Sequence, residues 1–219
     1  MALPAAVIFD NDGLLLDTEQ AWTRAEVVLF GRRGRAFTAD HKRYMLGSSP
    51  QAGARKLEEM LELPGQGTAL HEELEALVME EVGRGAPAMP GAPELVAELR
   101  ERGVPVGLAS NSKREFVDCA LRHAGMDELF DASLAGDEVA HPKPAPDIYL
   151  GVAERLGVAP ADCVALEDSH TGVAAARAAG MLVIGVPSFP GVELPEADIV
   201  AASLLDARVH ETLGLRAAA

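Results

Sequence analysis

Residues 9–19 read Phe9-Asp10-Asn11-Asp12-Gly13-Leu14-Leu15-Leu16-Asp17-Thr18-Glu19, FDNDGLLLDTE. Acidic residues crowd one glycine and three leucines, directly after the apolar run Ala5-Ala6-Val7-Ile8. Three readings compete: a calcium loop, a solvated turn and a reaction centre. An EF-hand loop wants oxygen ligands at positions one, three and five, Gly at six and Glu at twelve. With Gly13 at six, Asp10, Asp12 and Glu19 fall correctly, but position one is Ile8, which has no side-chain oxygen. The run before it reads as a buried strand, not as the entering helix an EF-hand needs. A solvated turn suits acidic residues beside Gly. This window alone does not choose between the turn and the reaction centre.

The 219 residues suit one large domain, or one domain carrying a smaller insert. Lys and Arg total 19 against 34 Asp and Glu, a formal net charge of −15. That balance argues against a general nucleic-acid binder and against an anionic membrane surface. An anionic substrate stays open, because a divalent cation and a few local bases reverse the field at one site. Cys119 and Cys163 are too far apart in sequence to suggest a zinc site or a disulfide framework. They read as small buried residues in a reducing compartment. The first apolar run stops at Asp10 and lacks a basic flank, so it does not read as a signal peptide. No run approaches the length of a membrane span. The expectation is a soluble cytoplasmic protein with no evident obligate protein partner.

After Asp17 the pattern turns helical, with Ala21, Ala25, Val28 and Leu29 near one stripe. Ser49-Pro50 reads as an N-cap with Pro at N1, opening a helix through Leu57, Met60 and Leu61. Another helix is expected from about Thr68 to Val82. The Gly/Pro/Ala stretch 83–93 is the best boundary in the chain. Beyond it strands and helices alternate. The strands "VPVGLAS", "FDASLAG", "CVALED", "MLVIGVP" and "ADIVAAS" are interleaved with helices, one of them opening at Ser112 with Glu115 as a capping box. Apolar strands alternating with helices imply a parallel sheet covered on both faces. The predicted fold is α/β: a Rossmann-like core over residues 1–17 and 87–219, with an α-helical cap inserted over 18–86.

Ligands of such sheets bind beyond the carboxyl ends of the strands. There the sequence delivers Asp10 and Asp12, then Ser110 and Asn111, then Lys143, then Glu167 and Asp168. Each alone passes as a turn or helix-start residue; together, at four strand ends, they make a poor coincidence. Asp10, Asp12, Glu167 and Asp168 cannot all ionise close together without a cation. Hard oxygen ligands with room for waters and a phosphate suit Mg2+. Lys143 adds fixed positive charge, and Ser110 with backbone N–H groups at a helix start can hold anionic oxygens.

The ordered set "DNDG", "SN", "K", "ED" resembles the haloacid dehalogenase superfamily, and within it the phosphatase and phosphomutase branch with a helical cap. The longer strings "FDNDGLLLDTE", "KPAPDIYL" and "EDSHTGVAAARAAGM" agree, and the likeness covers essentially the whole chain. The resemblance implies Asp10 as the nucleophile that forms an aspartyl-phosphate, and Asp12 as the general acid/base. It implies Ser110 and the Asn111 backbone as phosphoryl binders, and Lys143 as the stabiliser of charge. Asp10, the Asp12 carbonyl and Asp168 would hold Mg2+, with Glu167 direct or through water. The presence of Asp12 disfavours carbon–halogen hydrolysis. Cap lysines Lys42 and Lys56 keep phosphonate cleavage through a Schiff base in view, though disfavoured. Mutase relatives carry a histidine where this chain has Trp22 and an arginine where it has Pro50, so a phosphatase is expected over a hexose phosphate mutase. The cap residues expected to read a small phosphorylated metabolite are Trp22, Gly47, Ser48 and Ser49.

Overall fold

The computed structural model describes residues 3–45, 48–189 and 191–215. Gly47, expected in the cap turn, lies outside them. The chain divides into two compact units, Met1–Asp17 with Pro87–Ala219, and Thr18–Ala86.

The first unit is built on six parallel strands: β1 (Ala6–Phe9), β2 (Val106–Ala109), β3 (Ala132–Leu134), β4 (Cys163–Glu167), β5 (Leu182–Gly185) and β6 (Ile199–Val200). Their order is β3-β2-β1-β4-β5-β6. β1 is therefore central, with Val7 opposite Val106 on one side and Val164 on the other. All four β1 residues are buried, as expected for a strand covered on both faces. Ala6 and Ile8 share a core layer with Tyr149 and Val152 of α7 (Asp147–Leu156) and with Val173 and Ala176 of α8 (His170–Ala178). Val7 and Phe9 alternate to the opposite face. The connections also carry α5 (Ala92–Glu101) and α6 (Arg114–Ala124), and α9 (Ala207–Thr212) follows β6. Chain order reverses direction at β1, which makes the edge beyond β1 and its two neighbours the natural binding crevice.

The second unit is helical: α1 (Glu19–Gly31), α2 (Ala39–Met45), α3 (Pro50–Leu61) and α4 (Gly67–Val82). Ser49 caps α3 by accepting from the Ala52 N–H, with Pro50 at the first position. Ala21, Ala25 and Leu29 of α1 are buried. Val28, expected beside them, is instead exposed. Arg24 of α1 pairs with the buried Glu81 of α4 at 2.6 Å. The short helix α2 was not anticipated from the sequence; none of its residues is buried, so it carries no apolar stripe to read.

Two further expectations fail. Cys119 is only half-buried on α6, 3.7 Å from the His123 ring, whereas Cys163 is buried. And α6 begins at Arg114, with no side-chain cap at Lys113. Ser112 lies two residues before the helix start, and its hydroxyl donates to Asp12. No helix among the described residues is long and apolar enough to cross a membrane.

Candidate active site

β1 ends at Phe9, and Asp10 continues the ladder by donating its N–H to the Leu166 carbonyl. The chain then folds back at once. Leu15 and Leu16 N–H groups both reach the Asn11 carbonyl, and Gly13 N–H reaches Leu16. Leu14, Leu15 and Leu16 are buried, which anchors the acidic loop from beneath. Because Ile8 sits inside β1, no entering helix exists, and the calcium-loop reading ends there. Gly13 has φ +84°, and a Cβ on it would lie 2.4 Å from Asp168 Oδ2. The position therefore demands glycine twice, for its backbone and for the carboxylate packed against it.

β4 ends at Glu167, followed by Asp168. Glu167 points into the start of α8, where a Cβ on Gly172 would fall 1.9 Å from its carboxyl carbon. Oxygens of Asp10, Glu167 and Asp168 all lie within 4.8 Å of one another, and all three residues are buried. Lys143 enters this cluster from the loop after β3. Its ammonium is 2.6 Å from Asp10 Oδ1, 2.6 Å from Glu167 Oε1 and 2.8 Å from the Ala109 carbonyl. The loop is held by Asn111, which donates from Nδ2 to the Lys143 carbonyl and accepts the Lys143 N–H on Oδ1.

The electrostatics follow from burial. Loss of water lifts the Asp10 carboxyl well above the ordinary carboxylate range; Lys143 pulls it back, and Glu167, Asp168 and Asp12 push it further up. Burial opposes the Lys143 ammonium too, but Asp10 and Glu167 outweigh that and raise its pKa above the usual lysine value. One ammonium is set against three buried carboxylates and paired with two of them, so the acidic groups outnumber it. A divalent cation meets both needs, since the donors are hard oxygens and the charge calls for one.

Asp12 lies outside that trio. Its Oδ2 accepts from the Ser110 hydroxyl at 2.9 Å and the Ser112 hydroxyl at 2.8 Å, and its Oδ1 from Asn11 Nδ2 at 3.3 Å. Of the four residues expected to hold metal, the structure brings three side chains together, and the Asp12 carboxylate is instead engaged by Ser110, Ser112 and Asn11. The Ser110 hydroxyl, expected on phosphate, is engaged with Asp12 here.

Two participants were not anticipated. Ser112 was read as a helix cap, a role its residue type favours equally. Tyr149 donates its hydroxyl to Glu167 Oε1 at 2.6 Å. A tyrosine on the buried face of α7 was the available signal, since a buried phenol must find a partner. Of the residues expected in a cap, Trp22 is half-buried on α1. The Ser48 hydroxyl accepts from Lys56 at 2.9 Å, and the Ser49 hydroxyl is spent on capping α3.

Over residues 4–180 the chain matches the family described as haloacid dehalogenase-like hydrolase. It is 35% identical over 212 residues to the bifunctional riboflavin kinase/FMN phosphatase of Arabidopsis thaliana, covering 95% of this chain and 56% of that protein. The chain thus spans little more than half the length of that relative. It is 32% identical over 220 residues to hexitol phosphatase B of Escherichia coli K12, covering 95% and 96%. Among solved structures it is similar to β-phosphoglucomutase from Clostridium difficile, with 25% identity, a TM-score of 0.80 and coverage of 97% and 98%. The sheet order, the buried acidic trio at its edge and these likenesses agree: the chain belongs to the haloacid dehalogenase-like hydrolases.

Proposed function

We propose that this protein is a Mg2+-dependent phosphatase that hydrolyses a small phosphorylated metabolite, of the sugar phosphate or nucleoside monophosphate type, through an aspartyl-phosphate on Asp10. The observation that carries this reading is the trio of buried carboxylates at the carboxyl edge of the central strands, two of them, Asp10 and Glu167, bridged by one lysine. The hexitol phosphatase and FMN phosphatase likenesses support the substrate class.

Asp10 attacks phosphorus; the bond to the ester oxygen breaks, and Asp12 delivers a proton to the departing alkoxide. Asp12 then takes a proton from water as the water attacks the aspartyl-phosphate, which returns Asp10 and inorganic phosphate. Ser110, Ser112 and Asn11 hold the Asp12 carboxylate for both transfers. Lys143 keeps Asp10 oriented and offsets charge on the transferring group. Asp10, Asp168 and the Asp12 carbonyl, with Glu167 nearby, would hold Mg2+, which supplies positive charge for the phosphoryl oxygens. Trp22, Ser48 and Ser49, with Gly47, discriminate among substrates.

The cap lysines suit Schiff-base chemistry poorly. Lys42 is paired with Glu19 at 2.8 Å and Glu26 at 3.1 Å, and Lys56 is bound to the Tyr44 carbonyl and Ser48. The test is phosphate release from an aryl phosphate by the purified chain. Release that stops with EDTA, returns with Mg2+ and is absent in Asp10→Asn supports the reading; undiminished release by Asp10→Asn rules out the nucleophile. A metabolite-wide dephosphorylation screen then identifies the substrate.

The likeness to β-phosphoglucomutase favours a second reading, a hexose phosphate mutase. It predicts isomer formation that requires a bisphosphorylated activator, with little free phosphate. Trp22 and Pro50 stand where that reading calls for histidine and arginine.

A further inference from the structure

Glu167 is fully buried, and its carboxylate meets four protein donors. Oε1 accepts from Lys143 Nζ and from the Tyr149 hydroxyl, each at 2.6 Å. Oε2 accepts from the Asp168 N–H at 3.2 Å and the Ser169 hydroxyl at 3.3 Å. A carboxylate offers about four lone-pair positions, so this one is saturated without a metal. Direct ligation would require displacing a donor.

The four donors are not equivalent. Lys143 also serves Asp10, the Asp168 donor is backbone, and Ser169 also accepts from the Gly172 N–H. The Tyr149 hydroxyl has Glu167 as its hydrogen-bond partner and no other among the described residues. Its ring is fully buried with Ile148, Val152 and Ala153, and the Lys143 ammonium lies 5.0 Å from its centroid. Phenylalanine would fill the same space without burying a hydroxyl, and burying one is unfavourable unless it is bonded. Packing therefore accounts for the ring but not for the oxygen.

We propose that Tyr149 is a positioning residue that keeps Glu167 out of direct contact with the bound cation, so that Glu167 acts through water, and that this favours Mg2+ over Ca2+. The proposal rests on the reading that the cluster holds a divalent cation. Mg2+ takes six ligands and keeps several waters, whereas Ca2+ takes six to eight oxygens and uses carboxylates in bidentate fashion. A glutamate locked by four donors has no oxygen to add, which withholds the extra ligands that Ca2+ uses. Removing the phenol oxygen releases one lone pair on Oε1.

The test is calorimetric titration of the full chain and of Tyr149→Phe with MgCl2 and with CaCl2. A hydrogen bond to a charged group is strong enough that its loss should move the ratio of the two dissociation constants about tenfold toward Ca2+. An unchanged ratio, or equal weakening for both ions, overturns the proposal. If the unsubstituted chain binds neither ion, the cluster reading fails and takes this proposal with it. A second measurement does not depend on that variant folding. The natural chain contains two tyrosines, Tyr44 and Tyr149, so 13Cζ-tyrosine labelling gives two resonances, assigned with Tyr44→Phe. The Tyr149 resonance should keep its carboxylate-bonded position when Mg2+ saturates the site. Movement to the position of a phenol without a carboxylate acceptor would mean that the ion pulls Glu167 away, and overturns the proposal.

Discussion

Lys143 and Asp10 are 133 residues apart in the chain, yet the lysine ammonium lies 2.6 Å from Asp10 Oδ1 in a site where both are buried. The same ammonium bridges to Glu167. It is the charge that allows two acidic strand ends to share one dry edge of the sheet.

Lys143→Met should therefore cost more than a surface ion pair. Removing one partner of a buried pair leaves an uncompensated charge, worth about 3–5 kcal/mol. Urea unfolding without metal should register that loss. Added Mg2+ should recover part of it by supplying positive charge, while phosphatase activity stays absent. An equal loss with and without Mg2+ would count against a shared role for the lysine and the cation.

Gly172→Ala places a methyl where the Glu167 carboxylate now sits. Overpacking of that kind costs about 1–3 kcal/mol. The carboxylate must move, so activity should fall together with the melting temperature. Wild-type activity and stability in this variant would show that the close approach at the start of α8 is not needed.

Ser112→Ala removes one of the two hydroxyls on Asp12 Oδ2. A hydrogen bond to a charged group is worth about 1.5–3 kcal/mol, so kcat should drop by roughly tenfold to a hundredfold. KM should change little, because the loss acts on the proposed proton-transfer group, Asp12. Steady-state kinetics on an alkyl phosphate separates the two, and a change confined to KM would place Ser112 on the substrate instead.

Glu26 of the helical unit predicts a pH dependence. Burial pushes its carboxyl up to about 7, with Lys42 lowering it and Glu19 raising it. The folded state then holds a proton that the unfolded chain has released. The associated stability is fully present below about 4.5, the unfolded value, and is lost as pH rises to about 7. The shift corresponds to about 3 kcal/mol. Denaturation midpoints of the metal-free chain should fall across that window, and Glu26→Gln should flatten the fall. An unaltered slope in the variant would assign it to other groups.

Much of this molecule was legible before folding was considered. Ala6–Phe9 and Cys163–Glu167 are apolar throughout, because strands of a covered parallel sheet meet hydrophobic neighbours on both faces. Their acidic ends declare where the chain leaves the core. Ser49-Pro50 marked a helix start because capping is local chemistry. Where local signals were absent or shared by two roles, reading stopped. Helix α2 buries none of its residues, and Ser112 is as good a cap as a partner for Asp12.

The order of strands and helices, and the candidates clustered at strand ends, were decided by the sequence alone, since periodicity and turn chemistry act over a few residues. Which donor each carboxylate receives was decided only in three dimensions. Ser112 reaches Asp12 across 100 residues, and Tyr149 reaches Glu167 across 18, from a helix to the end of a strand. Such contacts depend on strand register, helix rotation and side-chain rotamer together, and no pattern along the chain encodes all three.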